Sequence, residues 1–488
     1  MLTHMKSLLA SLALGRTPDA RFDLSAAIGS TLLRQIVSSG LYFVALWVTT
    51  RQLGAHDNGL LVTALLLPQT LYAFLNLGLG PSHVFHMSSG IGSPRTMRRM
   101  NWSLALALWS GAVLALLLAS DAAIGHYLPG TAKHTALYAS LLFPMMLLAA
   151  WTSALIQGAR DYATYNKTAL TQPLVFCTGV LLLGALGAVN VPAVLGCHIL
   201  SQAALWLVSE WRVRHYAGPG AGAGAVVATS GAVAGATANA GATANAGATA
   251  NAGAASGPAP SLKLGTAVAF GLGAHLSNVI TFLNYRVALY LVSFLLDPAA
   301  AGRYALSIQL AEVLWMIASA ATVVVFPESA AHTSTPAALQ NMVRRIALSV
   351  FKITLAGGLL AGLLSVVAIP WVFGRDYAGS VLPFVILLPG IITWSYMSVV
   401  ANSLAGMGLQ RVNIQGALLS FTLNGGGCLL AIPVLGMPGA ALASSIAFMI
   451  TAAYTIYMYG RIMTERIAAE AAAGAGAAAS AAAGEARP

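Results

Sequence analysis

The stretch FLNYRVALYLVSFLL, residues 282–296, is apolar enough to sit in hydrocarbon, yet it carries Arg286 near its middle. A guanidinium is permanently charged, and an unpaired charge near the bilayer centre is costly, so it must face protein or a wet cavity. Glu312 is its natural counterpart. Arg286 lies about ten residues before the turn at 297–302 and Glu312 about ten after it, so both sit on the order of 15 Å inward at 1.5 Å rise per residue. In one arrangement the two form a buried pair that pins successive helices. In the other, Arg286 lines a water-filled cavity and binds an anionic headgroup, while Glu312 moderates it or takes a proton. The two are compatible, since a pair can open when a ligand arrives. Asn284 and Tyr285, just before the arginine, are further candidates to line such a cavity. Arg34 lies roughly two turns inside the first apolar stretch; it either reaches back to the interface or gives the N-terminal half its own contact with the same anion. Lys352 is read as an interfacial cation.

Other chemistry finds little support. His83 and His86 have i, i+3 spacing, but no carboxylate or cysteine stands near them in sequence, so no metal site is expected. His198 and His275 lie in apolar stretches, where they could exchange protons, and a packed role is the preferred reading. Cys177, Cys197 and Cys428 are isolated in apolar runs and read as small apolar side chains. No phosphate-cradling glycine loop is present, and no outer loop carries paired acids or a nucleophile. The chain is therefore read as a non-enzyme without a cofactor. Its formal charge of +11 is scattered over short loops, which does not point to nucleic acid.

The elements that must hold these side chains follow from composition. Of 488 residues, 58% are hydrophobic and only 8% charged, the balance of an integral membrane protein. Spans of about 20 apolar residues are expected near 27–50, 58–78, 101–120, 135–157, 167–187, 191–211, 266–296, 303–326, 346–370, 379–402, 412–434 and 438–460. With a cytoplasmic N-terminus, seventeen Lys and Arg fall on the cytoplasmic side and only Arg51, Lys133, Arg303 and Arg375 on the other. This is the positive-inside bias, and a miscounted span would scramble it. The stretch MLTHMKSLLASLALG is read as part of a cytoplasmic segment, because Arg16 and Arg21 replace a small-residue cleavage site. The expected organisation is a cytoplasmic segment at 1–26, a six-helix lobe at 27–211, a linker at 212–265, a second six-helix lobe at 266–460 and an Ala-rich cytoplasmic tail at 461–488. The linker contains repeated GATANA and can bury no core.

The halves resemble one another. LGAHDNGLLVTALLLPQTLYAF from Leu53 parallels LDPAAAGRYALSIQLAEVLWMI from Leu296, which places Gly59 in register with Gly302. Pro144 likewise aligns with Pro389, and Gly187 with Gly436. Because six is even, both halves enter the membrane in the same direction. The expected fold is all-α, with two six-helix lobes related by a parallel pseudo-two-fold axis around a central cavity.

The run from Phe282 to Ala330 resembles the polysaccharide flippases of the multidrug/oligosaccharidyl-lipid/polysaccharide exporter superfamily. The resemblance is carried by Asn284, Tyr285, Arg286, Gly302, Tyr304, Glu312 and Pro327, and further on by Gly406, Gly408, Asn424 and IPVLGMPGAALA. It implies an O-antigen-type flippase that carries undecaprenyl-diphosphate-linked oligosaccharide across the bacterial inner membrane by alternating access. A proton or sodium gradient is the expected drive. The implied partners are the lipid-linked oligosaccharide, membrane lipid, a polysaccharide polymerase and a chain-length regulator. Arg286 and Arg34 would then meet the diphosphate, with Asn284 and Tyr285 beside it and Glu312 as coupling or charge partner. The alternative is a cation-coupled multidrug exporter of the same superfamily. That reading wants acids deep in the N-terminal lobe, whereas Asp57, Asp121, Asp161 and Glu210 all lie at or near the ends of spans.

Overall fold

The computed structural model describes residues 24–88, 93–159, 161–216, 264–331 and 336–485. The N-terminal segment through residue 23 and the GATANA repeats lie outside the described residues. Every regular element among the described residues is helical, an arrangement in which each segment satisfies its own backbone hydrogen bonds in hydrocarbon. In order these are α1 (Leu24–Leu75), α2 (Leu79–Ser88), α3 (Pro94–Leu118), α4 (Asp121–Tyr127), α5 (Lys133–Ser140), α6 (Leu142–Gly158), α7 (Tyr162–Ala169), α8 (Thr171–Ala185) and α9 (Val191–Tyr216). The second half contains α10 (Leu264–Leu295), α11 (Pro298–Ala331), α12 (Pro336–Phe373), a 3-10 turn (Arg375–Ser380), α13 (Val381–Gly406), α14 (Gln410–Leu435) and α15 (Met437–Glu485).

Nine helices among the described residues are long and apolar enough to cross a membrane. The N-terminal lobe, α1–α9, packs around Phe143, Leu147 and Trp151 and around Phe176, Val180 and Val194. The C-terminal lobe, α10–α15, packs around Tyr304, Leu387 and Phe448 and around Val343, Val399 and Met463. Outward-facing leucines and valines such as Leu363, Val367, Leu430 and Val434 are exposed, the surface of a protein solvated by acyl chains.

Several boundaries differ from those read in the sequence. The first two expected spans run together in α1 and are separated only by a kink at Gly54, whose φ of +71° glycine adopts without strain. The second span breaks at Asn76–Gly78, where Leu77 and Gly78 have positive φ and Asn76 Oδ1 accepts from Gly78 N; the chain then resumes as α2. Residues beyond 460 continue α15 without interruption as far as Glu485, because an Ala-rich sequence propagates an existing helix readily. Residues 212–216 and 264–265, expected in the linker, are the last and first turns of α9 and α10.

The lobes meet mainly through α1 against α11, with α10 packed on both α1 and α2. The two glycines that the repeat places in register face each other across this seam. A Cβ on Gly59 would run into Pro298 O, and one on Gly302 into Ala55 O. A two-fold axis brings equivalent positions face to face, and only glycine permits backbones this close. Below them Thr63 Oγ1 and Ser293 Oγ are 2.7 Å apart, and Tyr290 OH donates to Leu66 O at 3.1 Å. Further along, His275 Nε2–H donates to Phe74 O at 3.0 Å, and Gly78 packs on Gly271. At the opposite end, Trp47 Nε1 donates to Val372 O (2.9 Å), Arg51 Nη1 to Trp371 O (2.8 Å) and Tyr377 OH to Gly54 O (3.0 Å). The first two bonds satisfy carbonyls that the C-terminus of α12 leaves without partners, and the third takes up the carbonyl at the α1 kink.

Candidate functional site

Arg286 precedes Tyr290 and Ser293 by one and two turns of α10, and both of those side chains bond to α1. The 3.6-residue period puts all three on the face that meets the N-terminal lobe. Arg286 therefore sits at the seam, between the Tyr290–Leu66 and His275–Phe74 bonds. It is half-buried, and among the described residues it makes no ion pair and no hydrogen bond. Glu312 is near enough for the two charges to attract, but their nitrogen and oxygen atoms are not within the 4.0 Å of a salt bridge.

Glu312 belongs to a different compartment. It lines a cavity of about 30 Å³ inside the C-terminal lobe, together with Tyr285, Tyr304, Trp315, Asn424, Ser444 and Phe448. That volume admits a water or two and no sugar. Tyr285, adjacent to Arg286 in sequence, points the other way round the helix into this cavity and packs edge-on against Trp315 (centroids 4.7 Å apart) and Trp394 (5.9 Å). The cavity wall is tied together by amide and hydroxyl groups. Asn424 Nδ2 donates to Asn284 O at 3.1 Å, while Asn424 Oδ1 accepts from Ser444 Oγ at 2.9 Å and from Cys428 Sγ at 3.4 Å. Tyr304 OH lies 3.4 Å from Ser444 Oγ. Asn284 itself is buried, and its side-chain oxygen has no protein partner among the described residues.

Arg34 stands apart from these residues, in the N-terminal lobe, where its Nε donates to Asn166 Oδ1 of α7 at 3.1 Å. The structure thus brings Tyr285 and Glu312 to one cavity, sets Arg286 on the seam beside it, and holds Arg34 against α7. His83 hydrogen-bonds Asn101 (2.6 Å) and His86 donates from Nδ1 to Ser82 O (2.7 Å). Sequence reasoning overlooked Thr63, Tyr290, Ser293 and the Arg51–Trp47 pair. The spacing 286–290–293 is a visible signal for one face of α10. Nothing in the sequence identifies the α12 carbonyls as partners of Arg51, because that contact joins positions 320 residues apart.

Residues 258–382 match a family of polysaccharide biosynthesis proteins. That match covers about a quarter of the chain. No curated protein matches the sequence. Solved structures match the fold over nearly the whole length. The lipid II flippase MurJ in an inward closed conformation superposes with a TM-score of 0.63 at 12% identity, covering 90% of this chain and 91% of that one. A multidrug resistance MATE family transporter of the MOP superfamily, in an inward-facing conformation, gives 0.61 at 13% identity over 89% and 98%. A MOP superfamily transporter from Pyrococcus furiosus, described as having a binding pocket of reverse polarity, gives 0.57 at 11% identity over 93% and 99%. The chain has the two-lobed fold of these transporters.

Proposed function

We propose that this chain, built on the exporter fold, is a flippase for an undecaprenyl-diphosphate-linked oligosaccharide in surface polysaccharide biosynthesis. The observation that carries the reading is Arg286, a half-buried guanidinium without a hydrogen-bonded partner among the described residues, on the face of α10 that meets the other lobe. A guanidinium binds phosphate with two parallel hydrogen bonds, and such a bond strengthens where water is scarce. The polyprenyl tail can stay in lipid, so the seam between the lobes has to receive only the diphosphate and sugar. Translocation then needs no catalytic group. It needs different affinity for the head in two arrangements of the lobes.

The bonds between the lobes suit this purpose. Those of Trp47, Arg51 and Tyr377 close one end and that of His275 the other, so each end can part without unfolding either lobe. Glu312 supplies the ion-coupling group, a carboxyl in a water-sized cavity next to Arg286, taking a proton or sodium. The bias of basic residues supports both termini in the cytoplasm of a bacterial inner membrane. A polymerase and a chain-length regulator would receive the product. The same fold serves MATE transporters, but drug-cation export finds less support. Glu210, the acid of α9, is already held by Arg98 and Arg214.

The test is genetic and biochemical. Cells whose only copy carries Arg286→Ala should accumulate lipid-linked repeat units on the inner face, with the variant stably inserted. Normal polymer export by that variant would overturn the proposal, and a gain of drug resistance on expression of the native chain would favour the multidrug reading.

A further inference from the structure

The ends of α3 and α9 that carry the arginines pack antiparallel through two rungs. Arg98 Nε donates to Glu210 Oε1 at 2.8 Å, and one turn deeper Trp102 and Trp206 meet edge to face with centroids 4.8 Å apart. Arg214, a turn further along α9, brings a second guanidinium to within 3.8 Å of the same carboxylate. One carboxylate cannot neutralise both. Arg95 and Arg99 lie within a turn of Arg98 and are exposed, as is Arg214, while Glu210 is buried beneath them. Among the described residues of this cluster, four guanidiniums therefore stand against one carboxylate, and three of them are open to the surroundings.

The surface next to this cluster is apolar. Trp102, Leu106, Leu200 and Leu207 are all exposed and continue along α3 and α9 away from the arginines. Tryptophan favours the boundary between headgroups and acyl chains, so Trp102 marks that level. A cationic cluster directly above an apolar strip mirrors the layout of one anionic lipid, phosphate above and chain below. Basic pockets between spanning helices bind anionic headgroups by this combination of charge and burial.

We infer that the α3–α9 seam holds an anionic phospholipid. Its phosphodiester sits among Arg95, Arg99 and Arg214, and one acyl chain lies along Trp102 and Leu106. The Arg98–Glu210 bond keeps the two helices together and sets the spacing of the arginines. This site is separate from the transport seam and does not depend on what the protein transports.

The experiment uses the purified full-length protein and native mass spectrometry, comparing phosphatidylglycerol with phosphatidylcholine of the same acyl chains. Native protein should retain the anionic lipid about tenfold better. R99Q/R214Q, which leaves the Arg98–Glu210 bond in place, should lose that preference, and the control R344Q/R345Q on α12 should keep it. Equal retention of the two lipids by native protein, or an undiminished preference in R99Q/R214Q, would overturn the inference. If the double variant does not fold, phosphatidylglycerol with brominated chains serves instead, through quenching of tryptophan fluorescence. Quenching should fall in W102F relative to native protein; quenching unchanged by that substitution would sink the proposed chain position.

Discussion

A single guanidinium at the seam is worth keeping only if something comes to meet it. Arg286→Ala should remove one charge-assisted contact with the substrate head, about 1.5–3 kcal/mol, and slow flipping in proteoliposomes on the order of 10- to 100-fold. Arg286→Lys should recover part of the rate, since lysine keeps the charge and loses the fork. Equal rates in all three proteins would exclude a direct role. Glu312 answers to a different measurement. Glu312→Gln preserves the volume of the side chain in the cavity of Tyr285 and Trp315, so the protein should fold and bind substrate. The rate should then cease to respond to an imposed proton or sodium gradient. A gradient response equal to that of the native protein would place coupling elsewhere. Arg286 was legible as a functional position because a charge in an apolar run is rare and expensive. The separation of Arg286 from Glu312 into two environments was not. Sequence fixes depth along each helix, whereas the rotation of α10 and α11 about their own axes is decided by packing.

Helices carry their own constraints. Gly59 and Gly302 let α1 and α11 touch backbone to backbone, and the repeat already aligned them in sequence. Alanine at Gly59 would place a methyl group inside the Pro298 carbonyl. Gly59→Ala should therefore hold this end of the seam apart, at the upper end of the about 1–3 kcal/mol typical of overpacking. Cysteine accessibility at Trp47→Cys, read with a membrane-impermeant thiol reagent, should rise in the Gly59→Ala background. Unchanged accessibility would mean that α11 simply shifts. At the other membrane face, Glu210 joins α3 to α9. Glu210→Ala leaves Arg98 facing Arg214 without the carboxylate and should lower stability by about 3 kcal/mol, measurable as a lower melting temperature in detergent. Arg214→Ala should change stability by less than about 1 kcal/mol, because that side chain is exposed. Helix existence was legible from runs of apolar residues. The kink at Gly54 and the break at Asn76–Gly78 were not, since a glycine within an apolar run signals permission to bend rather than the bend itself.

At the scale of the molecule, transport requires the lobes to part. Thr63 and Ser293 offer a way to forbid it, with their hydroxyl oxygens 2.7 Å apart across the seam. Thr63→Cys/Ser293→Cys should form a disulfide on oxidation, tying α1 to α10. The three native cysteines are buried and unpaired, which keeps the background low. Flipping should stop on oxidation and return with reductant, while each single variant stays active. Full activity in the oxidised double variant, with the disulfide demonstrated, would contradict rocking of the lobes about this seam.

Composition by itself determined that the chain is a membrane protein, and its apolar runs of about 20 residues determined that it crosses as helices, which satisfy their backbones locally. The order of its motifs determined two similar halves. Tertiary structure decided which faces meet. It turned Tyr285 and Glu312 into one lobe's cavity, left Arg286 at the boundary with the other lobe, and drew Arg34 to Asn166. The cause is that helix rotation and partner choice arise from side-chain packing between segments hundreds of residues apart, and a periodic apolar pattern offers many nearly equal faces until those partners are present.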